Sequence, residues 1–177
     1  MTQRVLIRFL TWIGEEIRLA QHARIRAKAE NGEAKAQYAL GTMYEMGEVV
    51  PHCAAEALKW YQKAAFQGIA EAQLTLGLKY LSGQGVMQND SEALLWFRKA
   101  AEQGHPEAQH HLGNLYRDGR GTTRDLLQAC KWYRKAAERG HSGAMKNLRE
   151  SIPRETELQA EVPGQEPRLA VFSETAG

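Results

Sequence analysis

Residues 72–104 read AQLTLGLKYLSGQGVMQNDSEALLWFRKAAEQG, and this stretch decides the fold because the chain repeats it. The repeats have no gaps, since equivalent residues lie 36 positions apart, as in Gly41, Gly77 and Gly113 or in Trp60, Trp96 and Trp132. A fixed period of this length is typical of an array of small units that bury their apolar faces on one another. The period therefore predicts an all-α solenoid, and such arrays are mostly binding surfaces.

Each unit reads as a first helix, a loop of about eight residues and a second helix, here called helix A and helix B. In the first helix A, Ala36, Leu40 and Tyr44 recur every fourth residue and share one face. Gly41 sits beside them, and we expect it to allow a close helix approach that offsets its cost of about 1 kcal/mol in a helix.

Helix B carries a matching stripe of small and aromatic residues. In the first unit these are Ala57, Trp60, Tyr61, Ala64 and Ala65, and Gly68 follows as an expected left-handed cap. We expect the small residues to bring helices together and the tryptophan of each unit to fill the gap between units.

The repeat pattern divides the chain into three parts. Residues 32–150 form the repeat array, with units at 33–68, 69–104 and 105–140 and the first helix of a fourth at 141–150. Residues 1–31 read as an amphipathic helix that caps the open end of the array, although Trp12 and several arginines also suit a membrane-surface helix. Residues 21–32 resemble, weakly, the second half of a repeat that ends at Gly32.

Residues 151–177 are rich in Glu and Pro and are expected to form a flexible acidic tail. One short apolar run, Leu169-Ala170-Val171-Phe172, interrupts it. That run could dock as an extended peptide, but the simpler expectation is a solvated end.

Composition excludes several classes of protein. The chain has 23 Lys+Arg against 21 Asp+Glu, which does not suggest the clustered basic face of a nucleic-acid binder. It lacks a run of about 20 apolar residues that could span a membrane. Two repeats separate Cys53 from Cys130, about 20 Å in stacked helices, whereas a disulfide needs Cα atoms within about 7 Å. We therefore expect both cysteines to be free thiols, as is usual for a cytoplasmic protein, and we expect this protein to be cytoplasmic.

The repeated pattern A-x-x-x-L-G-x-x-Y-x-x-G, a loop, and A-x-x-W-[YF]-x-K-A-A-x-x-G resembles the Sel1-like repeat, a relative of the tetratricopeptide repeat. The resemblance implies an α/α solenoid that acts as an adaptor or scaffold, often in bacterial signalling, envelope or secretion systems. It covers residues 33–140 and begins again at 141–150. A cysteine-rich secreted branch of the family is excluded, because the units here lack paired cysteines.

The sequence shows no pattern typical of an active site, so we predict a protein that is not an enzyme and has no cofactor. The Gly-x-Gly pairs lie between helices and do not precede a nucleotide-binding strand–helix unit. His110 and His111 are adjacent on a helix and point in different directions, so we predict no metal site there.

The most informative variation lies on the face of helix A that we predict to be exposed and concave. We name this set the helix-A stripe and expect it to bind a partner peptide or helix, with an apolar floor in unit two. Its members are Tyr38, Thr42 and Glu45 in unit one, Leu74, Leu78 and Leu81 in unit two, and His110, Asn114 and Arg117 in unit three. The alternatives are that these leucines pack on a neighbouring unit, and that the protein is a peripheral membrane scaffold held by its N-terminal helix.

Overall fold

The computed structural model describes the backbone of residues 2–47 and 49–160 and the side chains of residues 16–47 and 49–151. All regular structure in this part of the chain is helical, which confirms the predicted fold class. In chain order the helices are α1 (Thr2–Glu30), α2 (Ala34–Met46), α3 (Ala54–Phe66), α4 (Ala70–Ser82), α5 (Asp90–Glu102), α6 (Pro106–Asp118), α7 (Leu126–Glu138) and α8 (Ser142–Ala160). Each helix packs on the next one along the chain, so pairs of helices stack into a solenoid.

Glycines end the helices of each unit. Helix A of the three units stops at Gly47, Gly83 and Gly119, whose φ angles of 70°, 75° and 69° are left-handed. Helix B is followed in the same way by a glycine with positive φ, such as Gly68 at 92°. Only glycine adopts this conformation without strain, so the glycine spacing sets the helix lengths.

The glycine inside each helix A makes room for an aromatic ring of helix B. A Cβ atom added to Gly77 would lie 2.5 Å from a ring carbon of Phe97, and one added to Gly113 would lie 2.6 Å from the ring of Tyr133. These distances are below van der Waals contact, so the two helices pack this closely only because the glycine has no side chain. The expected close approach is confirmed.

The largest buried side chains are those next to the tryptophans rather than the tryptophans themselves. Tyr61, Phe97 and Tyr133 are fully buried, whereas of the three repeat tryptophans Trp96 is buried, at 5% exposure, and Trp60 and Trp132 are half-buried. All three nevertheless pack between consecutive units: Trp96 belongs to the cluster of α3 and α4, Trp60 packs on the cluster of α1 and α2, and Trp132 packs on that of α5 and α6. The expected position of the tryptophans is confirmed, and the glycine pocket holds the neighbouring ring.

A repeated glutamine ties each helix A to the helix before it. Gln73 and Gln109 donate to the carbonyls of Ala65 and Ala101 at 3.0 Å. Gln37 donates in the same way to the carbonyl of Ala29 in α1, at 3.2 Å. The end of α1 therefore packs as the helix B of an incomplete unit, as the weak match of residues 21–32 suggested.

The cap formed by α1 is short. Among its described side chains, Ala29 is buried and Ile25 packs on the same core cluster, whereas Ile17 and Leu19 are 56% and 53% exposed. Residues 16–21 are all exposed, so among the described side chains of α1 those of its last turns cover the array. Within the described part of the chain, no helix has the length and hydropathy needed to cross a membrane.

At the other end, α8 begins as the helix A of a fourth unit and buries Ala144 against the third. It then continues to Ala160, ten residues beyond the predicted end of the array at 150. The predicted boundary is therefore wrong for residues 151–160, which are helical despite Pro153 and end in the good helix formers Leu158, Gln159 and Ala160. The rest of the predicted tail, 161–177, lies outside the described residues.

Candidate partner-binding site

The helix-A stripe is less exposed than its sequence pattern predicts. Leu78 is 38% exposed, and every other member of the stripe is half-buried. Thr42 donates to the carbonyl of Ala39 in its own helix at 2.7 Å, and the ring of Tyr38 lies 5.6 Å from that of Tyr61. Most of the stripe therefore contacts the array itself.

In unit one the stripe contains a partly buried ion pair. Lys79 of α4, buried at 6% exposure, donates to Glu45 of α2, and the Tyr61 hydroxyl donates to the same carboxylate at 2.6 Å. Burial opposes ionisation of Glu45, but the hydrogen bonds from Lys79 and Tyr61 outweigh it and lower the pKa of the carboxyl. Burial and the bond to Glu45 raise the pKa of Tyr61. Glu45 thus joins units one and two.

In unit two, two of the three leucines of the predicted apolar floor pack against the core. Leu74 and Leu81 pack against the cluster formed by α5 and α6, so they are not a solvent-exposed patch. The reason is that units stack more closely than a single helix reveals, and residues beside the buried face contact the next unit. Leu78 alone remains as an exposed leucine of the stripe.

In unit three the stripe is a hydrogen-bonded cluster. Asn114 accepts from the Tyr133 hydroxyl at 2.8 Å and from the Asn147 amide at 3.1 Å, and that amide lies 3.1 Å from Nε2 of His110. Arg117 forms a two-point ion pair with its neighbour Asp118, at 2.7 and 3.0 Å. The cluster joins α6, α7 and α8.

A group of histidines surrounds Glu107, beside the unit-three stripe. The two carboxylate oxygens lie 3.0 Å from Nε2 of His141 and 3.3 Å from Nε2 of His111, and the rings of His110 and His141 stack with centroids 4.4 Å apart. Burial, together with the charges of His141 and His111, lowers the pKa of His110 from 6.5 to about 4.

Glu107, His110 and His141 also bring possible metal ligands within 4.8 Å of one another, which the sequence analysis missed. Glu107 precedes His110 by three residues, and that helical spacing was the available signal. The hydrogen bonds favour another role. The Ala144 N–H donates to Nδ1 of His141 at 3.0 Å, so the neutral ring carries its proton on Nε2, facing Glu107. His141 therefore caps α8, and a metal ion would have to displace that proton.

A second surface, which we name the helix-B groove, lies outside the predicted site. It has a volume of about 540 Å³ and runs beside α3, α5 and the loop of unit two. Phe66 and Met87, which line it, are 74% and 87% exposed. The signal for it in the sequence is that Phe66 interrupts a position occupied by Glu102 and Glu138 in the next units.

The Sel1 repeat family model matches residues 34–68, 70–105 and 106–141, which cover more than half of the chain. This chain belongs to the Sel1-repeat family. The bounds of the matched segments agree with those of the three predicted units to within one residue. Among curated proteins, none matches this chain.

Solved structures of Sel1-repeat proteins have the same architecture. The protective antigen c5321 of uropathogenic Escherichia coli is 43% identical over 74% of this chain, with a TM-score of 0.71. This chain spans only 28% of that protein's length. A Sel1 repeat protein from Oxalobacter formigenes is 34% identical over 72% of this chain and 96% of its own, with a TM-score of 0.70.

Cysteine-rich protein B of Helicobacter pylori is 20% identical over 72% of this chain and 96% of its own, with a TM-score of 0.57, and this likeness shows the fold alone. Sel1-repeat proteins generally mediate protein–protein interactions and are typically not enzymes.

Proposed function

We propose that this protein is a non-enzymatic adaptor of a bacterial signalling, envelope or secretion complex, and that its helix-A stripe binds a peptide or helix of the partner. The observation that carries the proposal is Leu78, the exposed leucine of the stripe, which is 38% exposed and lies between the polar stripe residues of units one and three. Exposed apolar residues ringed by polar ones are common at the centre of interfaces, where their burial contributes most of the binding energy.

Groups on both sides of Leu78 support selectivity. The Glu45–Lys79 pair joins units one and two, and Arg117 with Asp118 adds a second charged pair in unit three. Charged pairs at the rim of an apolar contact steer encounter and reject unsuitable partners more than they add affinity. A short amphipathic segment with one apolar anchor suits this arrangement.

The test is a quantitative pull-down from native cells that compares the wild-type chain with Leu78→Glu. Leu127→Glu is the matched control, because Leu127 is also 38% exposed but lies on a helix B. The stripe is supported if Leu78→Glu loses partners that Leu127→Glu retains, at equal helicity by circular dichroism. Identical partners for all three proteins would exclude the stripe as the binding site.

A second candidate function is a peripheral membrane scaffold, favoured by Ile17 and Leu19 of α1, which are 56% and 53% exposed. An amphipathic helix that extends beyond its array can lie in a membrane interface. Deletion of residues 1–20 followed by cell fractionation separates the possibilities. Loss of a membrane-bound pool supports anchoring, whereas a purely cytoplasmic protein before and after deletion excludes it.

A further inference from the structure

The helix-B groove has two counterparts along the solenoid, because the residues that line it recur at intervals of 36. Its lining includes Gln62 of α3, Tyr80 of α4, and Glu92 and Trp96 of α5. We call the set of equivalent residues one repeat earlier the first groove and the set one repeat later the third groove. Since the repeats have no gaps, the three grooves can be compared residue by residue.

In the third groove an arginine of the chain itself lies beside the tyrosine. Arg98, at the position equivalent to Gln62, donates through Nη2 to the hydroxyl of Tyr116 at 2.6 Å. Tyr116 is the equivalent of Tyr80. This part of the repeat therefore accommodates a guanidinium group that is bound to the tyrosine.

The first groove also has its own arginine. Arg26 of α1 is the equivalent of Gln62, and its guanidinium donates to Glu30 at 2.8 Å. The hydrogen bond and charge of Glu30, followed by the nearby Tyr44, raise the pKa of Arg26. Tyr44 is the equivalent of Tyr80. In both neighbouring grooves, therefore, the preceding helix supplies an arginine close to this tyrosine.

The helix-B groove lacks that arginine and leaves its polar groups unpaired. Within the described part of the chain, neither the Tyr80 hydroxyl nor the Glu92 carboxylate has a hydrogen-bond or ion-pair partner. Glu92 is half-buried and is the charged member of the lining, whereas its equivalent in the third groove is the uncharged Gln128. The groove therefore presents an acceptor and an unpaired negative charge where its neighbours hold a cation.

An aromatic ring completes a site for a guanidinium group. Phe66 takes the place of Glu30 and Glu102, is 74% exposed, and meets the edge of the Trp96 ring at a centroid distance of 5.3 Å. A guanidinium stacks on an aromatic face while its N–H groups bind oxygen acceptors in its own plane. Met87, 87% exposed, adds apolar surface for the residues beside such an arginine.

The lysine near this groove is compatible with a second cation. Lys99 lies 4.3 Å from the centroid of Trp96. Lys135 lies over Trp132 in the same way, at 4.2 Å, beside the groove that holds Arg98. Because a lysine and an arginine occur together in the third groove, Lys99 leaves the position beside Tyr80 open to a guanidinium.

We propose that the helix-B groove binds an arginine side chain of a partner peptide, with its guanidinium on the Phe66 ring and bonded to the Tyr80 hydroxyl and the Glu92 carboxylate. The partner's arginine takes the place that the chain's own arginines occupy in the two neighbouring grooves. An apolar residue beside that arginine suits the rest of the lining. This site goes beyond the proposed function, because it uses no residue of the helix-A stripe.

The test is an NMR titration of the ¹⁵N-labelled full chain with the capped peptide acetyl-GLRLG-amide. Backbone amide signals of Phe66, Tyr80 and Glu92 should shift. The same peptide with citrulline in place of arginine is similar in shape but uncharged, so it cannot form the ion pair and should bind about tenfold more weakly. Equal affinity of the two peptides would make the groove an apolar site only and would overturn the proposal, as would the absence of shifts at the groove.

Variants that exchange the grooves locate the site. Gln62→Arg/Phe66→Glu gives the helix-B groove an arginine–glutamate pair of its own, as in the first groove, and should abolish peptide binding at unchanged helicity. Glu92→Gln, which copies the third groove, should weaken binding about tenfold through loss of the charged partner. Peptide binding that persists unchanged in the first of these variants would overturn the proposal.

The reverse exchange should create a second site. Arg98→Gln/Glu102→Phe/Gln128→Glu gives the third groove the residues of the helix-B groove, so the peptide should then also shift the amide signal of Tyr116. The stripe variant Leu78→Glu is the control and should bind the peptide as wild type does, which separates this site from the proposed partner site. Loss of binding in Leu78→Glu would place the peptide on the stripe and contradict the proposal.

Discussion

Unit two differs from units one and three both in its buried ring and in the stripe above that ring. In units one and three the ring is a tyrosine, whose hydroxyl donates to Glu45 at 2.6 Å or to Asn114 at 2.8 Å. In unit two the ring is Phe97, which has no hydroxyl, and the stripe is three leucines. The polar or apolar character of the stripe thus follows that of the core.

This correspondence has a physical cause. A buried hydroxyl without a partner costs about 1–3 kcal/mol, so a tyrosine in the glycine pocket needs an acceptor on helix A, and a phenylalanine does not. Part of the variation among units that suggests partner selectivity therefore satisfies hydrogen bonds inside the solenoid. Leu78, whose unit has no hydroxyl to satisfy, is the member of the stripe left exposed.

The largest expected effect is loss of the ring itself. Phe97→Ala should lower the free energy of unfolding by about 3–5 kcal/mol, because it empties a fully buried site opposite Gly77. Phe66→Ala, which removes an exposed ring from the preceding helix B, should change it by less than about 0.5 kcal/mol. Urea unfolding followed by circular dichroism measures both, and similar losses would mean that the glycine pocket is not the main packing site.

Glu45→Ala is expected to cost about 2–3 kcal/mol, because it leaves the buried Lys79 ammonium and the Tyr61 hydroxyl without their shared acceptor. The triple variant Glu45→Leu/Lys79→Leu/Tyr61→Phe should recover most of this loss, since it reproduces the apolar arrangement of unit two. The same unfolding measurement applies. A triple variant less stable than Glu45→Ala would show that the ion pair itself stabilises the interface.

Phe97→Tyr places a hydroxyl under the leucines of unit two and should cost about 1–2 kcal/mol. Leu81→Glu, which supplies the equivalent of Glu45, should reduce that cost when the two changes are combined. A double-mutant cycle gives the coupling free energy, expected to be about 0.5–2 kcal/mol in favour of the pair. If the two changes in the free energy of unfolding simply add, the buried ring and the stripe residue do not interact.

The smallest expected effect is a dependence of the free energy of unfolding on pH, caused by His110 in unit three. Because burial lowers the pKa of His110 from 6.5 to about 4, the folded state binds its proton less readily than the unfolded state. Its contribution to stability is present above pH 6.5 and is lost as the pH falls towards 4. Thermal melts from pH 8 to pH 4.5 should therefore show a smaller decline for His110→Gln than for wild type. His52→Gln, at an exposed histidine, should follow wild type.

Much of the fold was predictable because the same local pattern occurs three times. The spacing of Gly41, Leu40 and Ala57 and their equivalents indicated helix lengths, the stacking order and the close helix contact, and the structure confirms them. The end of α8 was not predictable in this way, because residues 151–160 follow the repeat and helix propensity alone is a weak signal.

The candidate site was less predictable. The sequence singled out Glu45, Asn114 and Leu78 as variable positions, and it could not distinguish a residue that varies to suit the next unit from one that varies to suit a partner. His141 and Lys79 act on residues about one repeat away in sequence, at Glu107 and Glu45. Contacts of this kind depend on how the units stack, so the sequence around each residue carries no pattern that predicts them.

The sequence by itself determined the all-α solenoid, its period and its units, because helix periodicity and glycine stops act within a few residues of one another. Only the tertiary structure decided which surface remains available. Burial depends on neighbours one unit away, and stacking packed Leu74 and Leu81 against the core while it left Leu78 and Phe66 exposed. Exposure is a property of the assembled array, whereas helix formation is a property of each segment.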